Sequence, residues 1–272
     1  MLVTYANCQG SGVAAFLNNS LEFKQRFPST INLINYEMIR DQSEIPVEIL
    51  QDAKIFIYQP LAAKHGKYST DPSVPNNILT NLSLSCIRIS FPYIYSSAFS
   101  PIIPSSPADE PARDTRRKAI PINIDPIFEL KQRGVALNTV LASYENCTLD
   151  FKYAERFENS LKVLREKERH TSVHISDYIE HNARHRRLFL AQNHPTSCIF
   201  VNCANQVYEL LGISHRLNAD DFLENALAID SWPVSIYDKI YWKYEYILPI
   251  DPTAYQFWRK KITDSYLRDG WK

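Results

Sequence analysis

The sequence has few cysteines, few glycines and no excess of either charge. Its 272 residues include five cysteines and six glycines, and 30 basic residues balance 30 acidic ones. Five cysteines without a framework spacing argue against a disulfide-stabilised secreted protein. Balanced charge gives no electrostatic indication of nucleic acid or an anionic membrane as a partner. We therefore expect a cytoplasmic protein that does not bind nucleic acid.

Long hydrophobic runs are also missing from the chain. No segment approaches the roughly 18 consecutive apolar residues that a membrane-spanning helix requires. The first residues lack the basic and apolar regions of a secretory signal. Hydrophobic residues make up 45% of the chain and charged residues 22%, which is typical of a globular protein. The sequence thus predicts a globular protein without a membrane span.

Motifs for phosphate loops and metal sites are absent as well. The chain contains neither a Gly-x-Gly-x-x-Gly pattern nor a Walker pattern. Histidines recur four residues apart at His170 and His174 and again at His181 and His185. Because no cysteine pair or His-Glu-x-x-His pattern accompanies them, we interpret them as a solvated helix face and predict no metal site.

Short apolar runs alternate with helical patterns in the first half of the chain. This order predicts an α/β fold with a short parallel sheet of about five strands flanked by helices. The predicted strands are Leu2–Tyr5, Ile31–Tyr36, Lys54–Tyr58, Cys86–Ser90 and Leu188–Ala191. The helices predicted between the early strands are Val13–Phe27, Val47–Ala53 and Asn76–Leu82.

The rest of the chain has mainly helical patterns. Apolar positions at helical spacing predict helices over Leu149–Glu168, Ser176–Asn182 and Ser197–Leu211, the last ending at Gly212. All four tryptophans lie beyond residue 215. We predict an α/β catalytic domain over residues 1–215, followed by a helical, aromatic-rich C-terminal extension over residues 216–272.

Residues 97–125 interrupt this organisation with five prolines. Proline at this density rules out a regular element and predicts a long loop. Long loops inside compact domains are often lids or binding loops. The basic residues Arg116, Arg117 and Lys118 lie in this segment. They are either a solvated loop face or part of a lid that contacts phosphate.

Polar side chains follow several of the predicted strands. In a parallel sheet the carboxyl ends of the strands meet at one edge, where α/β folds bind ligands. A thiol, an imidazole and amide donors at such an edge are the groups that acyl transfer requires. These residues are Asn7, Cys8 and Gln9 after the first strand, Gln59 after the third, and Asn193 and His194 after the fifth.

Each of these residues also has a structural interpretation. Cysteine is among the most buried residue types, so Cys8 alone is often structural. His194 precedes a proline and a helical pattern, where a histidine commonly bonds the entry of the helix. The side chains of Gln59 and Asn193 are equally consistent with hydrogen bonds to loop backbone. Arg88 lies within an apolar predicted strand, and a buried arginine there needs either an internal carboxylate or a ligand phosphate.

Several short segments, taken in order along the chain, resemble those of one family. They are Tyr5-Ala-Asn-Cys-Gln9, Tyr58-Gln-Pro60, Arg88-Ile-Ser-Phe-Pro92 and Leu188-Phe-Leu-Ala-Gln-Asn-His-Pro195, with the helical region from Leu164 to Ile179 between the last two. These segments resemble the WcbI family of polysaccharide biosynthesis proteins from bacterial capsule loci. The resemblance covers roughly residues 1–212.

The resemblance implies an α/β enzyme that binds coenzyme A and moves an acetyl group from acetyl-CoA to a sugar hydroxyl. It implies Cys8, Gln9, Asn193 and His194 as catalytic residues. The coenzyme-binding residues that we assign on this basis are Asn7, Gln59, Arg88, Arg116, Arg117 and Lys118.

The family's site layout is similar to that of SGNH-type esterases, whose nucleophile follows the first strand. This chain departs from that layout, since Cys8 stands in place of serine and Ala191 in place of the aspartate of an Asp-x-x-His block. We take Glu168 and Asp177 as candidates for the third member of a triad.

The same residues also fit two other functions. An esterase or thioesterase would use the same nucleophile and base with water as the acceptor. A non-catalytic protein that binds coenzyme A or sugar would keep the fold without the chemistry. The sequence also leaves open whether Cys8 is acetylated during transfer, which sugar or polysaccharide precursor accepts the group, and whether the protein is a homo-oligomer.

Overall fold

The computed structural model describes residues 1–99, 126–222, 232–243 and 253–267, without the side chain of Ser265. The chain forms two compact units, each assembled from three separate stretches. The first unit comprises Met1–Ile94, Val163–His181 and Pro195–Ala226, and the second comprises Tyr95–Lys162, Asn182–His194 and Leu227–Lys272. The domain division predicted at residue 215 does not coincide with these units and stays a prediction.

A four-stranded parallel sheet lies in the first unit, in the order β2-β1-β3-β4. The strands are β1 (Leu2–Ala6), β2 (Thr30–Ile34), β3 (Ile55–Tyr58) and β4 (Ile87–Ser90). In register, Tyr5 lies opposite Leu33 on one side and Tyr58 on the other. Every residue of β1 is buried, as expected for a central parallel strand covered on both faces. The predicted α/β fold with a parallel sheet is confirmed.

The fifth predicted strand does not join this sheet. Its residues form β5 (Phe189–Ala191), which pairs with the two-residue β6 (His194–Pro195) in a separate two-stranded sheet. The chain turns back directly after three strand residues, so the apolar run is used in a local hairpin. An apolar run of this length does not reveal its pairing partner.

Eleven α-helices occur within the described residues. Asn7 and Ser20 are N-caps, accepting hydrogen bonds from Gln9 N and Phe23 N, so the single helix predicted over Val13–Phe27 is two helices, the first of which begins at Cys8. The helices are α1 (Cys8–Leu17), α2 (Leu21–Arg26), α3 (Asn35–Arg40), α4 (Val47–Gln51), α5 (Pro126–Gln132), α6 (Leu137–Glu145), α7 (Tyr153–Glu168), α8 (Ser176–Asn182), α9 (Ser197–Leu210), α10 (Ile236–Trp242) and α11 (Ala254–Leu267).

Shorter 3-10 turns complete these elements. They lie at Ala63–Tyr68, Ile78–Asn81 and Ala219–Asp221. The helix predicted over Asn76–Leu82 is therefore one turn only. Asn77 accepts a hydrogen bond from Leu79 N at 2.9 Å, a local bond that competes with continuation of a helix.

The core of the first unit is built on one face of the sheet and on the contact of α1 with α9. Tyr5 is fully buried there and its hydroxyl donates to Tyr68 O at 2.7 Å. Phe16 of α1 stacks on Phe200 of α9, with ring centroids 6.0 Å apart. Tyr208 of α9 donates to Leu17 O at 2.8 Å. These contacts fix the axis of α1, and therefore the position of its first residue.

None of the described helices is both long and apolar enough to cross a bilayer.

Candidate functional site at the strand ends

The junction between β1 and α1 presents the Cys8 thiol to solvent. Asn7 is extended (φ −72°, ψ −167°) and its side-chain oxygen accepts from Gln9 N at 3.0 Å. Cys8 is the first residue of α1 and is exposed. The first turn of a helix carries N–H groups without intrahelical partners and a partial positive charge. The thiol therefore stands where developing negative charge is favoured.

Gln9 ties this first helical turn to the chain that follows β4. Its side chain is 2% exposed. Its Nε2 donates to Ile94 O at 2.7 Å, and its Oε1 accepts from Ile94 N at 3.1 Å. The amide thus pairs with both backbone groups of one residue, as a strand neighbour would.

Gln59 links the end of β3 to the same network. Its Nε2 donates to Gln9 Oε1 at 2.9 Å and to Pro92 O at 3.4 Å. Its Oε1 accepts from Asn7 N at 3.1 Å. Two buried amides therefore join the ends of β1, β3 and β4, and the structure brings Asn7, Gln9 and Gln59 together as the strand-end argument expects.

Tyr36 is a residue of this edge that the sequence argument missed. Ile34 of β2 lies opposite Ala6 of β1. Tyr36 lies two residues after Ile34, and Cys8 lies two residues after Ala6. The phenol is 48% exposed. Partial burial raises the pKa of Tyr36, and Glu37 and Cys8 raise it further. The apolar pattern predicted a strand through Tyr36, whereas β2 ends at Ile34 and Tyr36 lies in α3.

The exposure of the Arg88 side chain differs from the prediction. The side chain is exposed, because β4 is an edge strand whose first two residues face solvent. The inference that Arg88 is buried is therefore wrong. Among the described residues its guanidinium has no hydrogen-bond or ion-pair partner, and it lies two positions before the strand end at Ser90. Burial raises the pKa of Tyr58, and the charge of Arg88 partly offsets this effect.

The two carboxylates considered for a triad already have structural partners. Glu168 is buried and accepts from Ile175 N at 2.5 Å, from Ser176 N at 2.8 Å and from the Ser176 hydroxyl. It therefore caps α8. Asp177 is exposed and pairs with Arg165 at 3.0 Å.

Asn193 and His194 belong to the second unit. Asn193 lies in the turn between β5 and β6, and His194 is the first residue of β6; both are half-buried. The neighbouring Gln192 accepts two hydrogen bonds. Its Oε1 accepts from the Tyr95 hydroxyl, and its backbone oxygen accepts from Ser96 N. That Asn193 and His194 act together with Cys8 stays a prediction.

The remaining site predictions concern the basic cluster and the histidines. Arg116, Arg117 and Lys118 lie outside the described residues. His174 and His181 are exposed, each with a ring nitrogen close to a carbonyl of its own segment. Within the described ranges no group of three or more His, Cys, Asp or Glu residues is arranged to hold a metal ion.

Comparison with known proteins places this geometry in context. A family model described as polysaccharide biosynthesis enzyme WcbI matches residues 1–216. A solved structure is similar over 97% of this chain and 92% of that chain, with 16% identity and a TM-score of 0.66. It is described as native WcbI, a polysaccharide biosynthesis enzyme, without a disulfide bond between coenzyme A and a cysteine. No curated protein sequence matches the chain. At this identity the structural likeness shows the fold.

Proposed function

The chain belongs to the WcbI family of polysaccharide biosynthesis enzymes, and on that basis we propose that it transfers an acetyl group from acetyl-CoA to a sugar hydroxyl. The observation that carries the proposal is the exposed thiol of Cys8 at the start of α1. A thiol at the carboxyl edge of a parallel sheet suits an acyl-transfer site. The protein thus acts in the biosynthesis of capsular or other polysaccharides.

Acetyl-CoA is the proposed acetyl donor. The similar solved structure is described in terms of coenzyme A and a cysteine, which supports the same ligand for this chain. Arg88 contributes a guanidinium that has no protein partner among the described residues, and we propose that it binds a phosphate of the coenzyme. We propose the same role for Arg116, Arg117 and Lys118 of the proline-rich segment.

The amides at the strand ends have different proposed roles. Gln59 and Gln9 bond to each other and to backbone groups, so we propose that they hold the junction in shape. Asn7 uses its side-chain oxygen as the cap of α1. Its Nδ2 has no partner among the described residues, so we propose that Asn7 and the N–H groups of the first helical turn stabilise the oxyanion of the tetrahedral intermediate.

His194 is the proposed general base, and Asn193 its neighbour on the same turn. In a covalent route, His194 takes the proton of Cys8, the sulfur bonds to the acetyl carbon, and the coenzyme thiolate leaves with that proton. The sugar oxygen then attacks the acetyl carbon, its proton passes to His194, and the Cys8 thiolate leaves. In a direct route, His194 takes the proton of the sugar hydroxyl and the sugar oxygen bonds to the acetyl carbon of the thioester. The C–S bond then breaks, the coenzyme thiolate leaves with the proton from His194, and Cys8 only shapes the pocket.

Consumption of acetyl-CoA with and without a sugar acceptor tests the proposal. We expect consumption that requires the sugar and is lost in the His194→Ala variant. Loss in the Cys8→Ala variant as well identifies the covalent route, and retained activity in that variant identifies the direct route. Equal consumption without sugar would identify a thioesterase that uses water. Binding of coenzyme A without any turnover would identify a non-catalytic binding protein. A His194→Ala variant with full activity would contradict the assigned role of His194 as the general base.

A further inference from the structure

The second unit contains a cavity of about 560 Å³ beside the loop that connects α6 to α7. Its wall includes Phe151 from the loop before α7, Tyr153 at the start of α7, and Tyr237, Ile240 and Tyr241 from α10. Aromatic walls with a few polar groups are typical of small-molecule sites of this size. None of these residues takes part in the proposed acetyl-transfer chemistry.

The aromatic rings of the wall are held in place by the protein. The Tyr153 hydroxyl donates to Asp238 Oδ1 at 2.7 Å, and the Tyr237 hydroxyl accepts from Leu149 N at 3.1 Å. Tyr241 stacks on Tyr153, with centroids 4.6 Å apart and planes at 21°. A ligand therefore meets rings that are already ordered, which lowers the entropic cost of binding.

Charged groups of both signs complete the wall. Lys152 and Asp150 form an exposed ion pair at 2.5 Å, and Glu155 and Lys243 also line the cavity. Two carboxylates and two ammonium groups give no net charge. Such a wall suits a neutral ligand that both donates and accepts hydrogen bonds better than it suits a polyphosphate.

Three residues of this wall have a left-handed backbone. Cys147, Lys152 and Lys243 have φ values of 54°, 54° and 47°. Cys147 and Lys243 lie at the C-terminal ends of α6 and α10, where a left-handed residue commonly ends a helix, and Lys152 directly precedes α7. The described residues contain two further such positions, Gln42 and Asn76, which lie elsewhere.

We propose that this cavity binds a pyranose ring of the saccharide acceptor. The apolar C–H face of the sugar packs on the Tyr241 ring, and its hydroxyls donate to the carboxylates of Asp150 and Glu155. The identity of this saccharide as the acetyl acceptor rests on the proposed function. Saccharide binding itself does not.

A glycan array of bacterial oligosaccharides, probed with the labelled full-length protein, tests this site. The glycan that binds most strongly is then titrated in solution against three variants. Tyr241→Leu removes the stacking ring, and we expect about tenfold weaker binding. Ile240→Arg places a long charged side chain at the cavity wall, and we expect loss of binding. Ile236→Arg is the matched control, since Ile236 lies one turn away on α10, is similarly exposed (47% against 53% for Ile240) and is not part of the wall.

Two results would overturn the proposal: no glycan binding on the array, or glycan binding that Ile240→Arg and Ile236→Arg affect equally. Ile240 is exposed, so Ile240→Arg remains informative even if Tyr241→Leu unfolds the protein. Titration of the same variants with coenzyme A separates this proposal from the acetyl-transfer proposal. Wild-type protein that binds glycan and not coenzyme A would contradict the transferase and leave the saccharide site standing.

Discussion

At the scale of single residues, exposure separates Cys8 from the other cysteines. Cys8 is exposed, Cys147 is half-buried, and Cys86, Cys198 and Cys203 are buried. Burial also raises the pKa of the Cys203 thiol, and only the thiolate reacts with alkylating reagents. We expect iodoacetamide to modify Cys8 in the native protein and Cys203 only after unfolding.

Peptide mass spectrometry measures this order of modification. The same reaction in guanidinium chloride is the control, in which all five cysteines should react. A native protein in which Cys147 is alkylated and Cys8 is not would contradict the exposed position of the thiol.

The amide of Gln59 gives a second prediction at this scale. Gln59→Leu leaves Asn7 N, Pro92 O and one acceptor site of Gln9 without their partner. Buried groups that lose a partner cost about 1–3 kcal/mol. We therefore expect the free energy of unfolding to fall by about 2 kcal/mol, measured from chemical denaturation.

Gln132→Leu is the control for this prediction, because Gln132 is exposed at the end of α5. It should change the free energy of unfolding little. Equal stability of Gln59→Leu and wild type would show that the amide network does not hold the strand ends together.

The sequence predicted that Asn7, Gln9 and Gln59 lie close together, because polar residues directly after parallel strands share one sheet edge. It did not predict the exposure of Arg88. That property depends on β4 being the outermost strand, and strand order is not encoded in any single run of residues. Tyr36 was missed because the apolar pattern predicted a strand that runs through it, whereas β2 ends two residues earlier.

At the scale of elements, α1 depends on two glycines for its close packing. A Cβ at Gly12 would lie 2.7 Å from the Phe200 ring of α9, and one at Gly10 would lie 2.8 Å from Ala6 Cβ. Both distances are shorter than van der Waals contact. The glycines that follow Cys8 thus bring the helix close to its neighbours.

Gly12→Ala tests this packing. We expect a loss of about 1–3 kcal/mol in the free energy of unfolding, because the new methyl group must displace the Phe200 ring or the helix. Phe200→Leu in the same chain makes room and should recover part of the loss, which a double-mutant cycle measures. Ser11→Ala, on the same helix, is the control. Full stability of Gly12→Ala would contradict the tight contact.

Elements with strong local signals were predicted well. The first four strands and helices α4, α8 and α9 agree with the apolar pattern to within a few residues. Failures occurred where capping decided the outcome, as at Ser20 between α1 and α2, or where pairing did, as for β5. Caps and pairing depend on contacts that periodicity does not contain.

At the scale of the whole molecule, buried tyrosines stabilise both units. Burial raises the pKa of Tyr208 in the first unit and of Tyr237 in the second to about 12. The folded state favours the neutral phenol. The stabilisation that each phenol contributes is therefore fully present below the unfolded pKa of about 10. It is lost as pH rises from about 10 towards about 12.

We therefore expect the free energy of unfolding to fall steeply above about pH 10. Denaturant midpoints measured at several alkaline pH values test this. A Tyr208→Phe variant has no phenol to ionise at this position, so its stability should decline less steeply. A midpoint that stays constant between about pH 9 and about pH 12 would contradict the prediction.

The family was identifiable from short motifs, because the polar residues that follow the strands recur in the same order along the chain. The division into two interleaved units was not identifiable, since each unit draws on stretches far apart in sequence. The cavity of the second unit was missed for the same reason. Its tyrosines were visible as an aromatic-rich C-terminal region, without any indication of what they surround.

Calorimetric titration of the full chain with coenzyme A tests whether this protein binds the coenzyme that the proposed acetyl transfer requires. We predict saturable binding at one site, weakened when Arg88→Glu replaces the exposed cation with an anion, and unchanged when Arg169→Glu does so at another exposed arginine of the first unit. Absence of binding by the wild-type protein would contradict the proposed acetyl transfer.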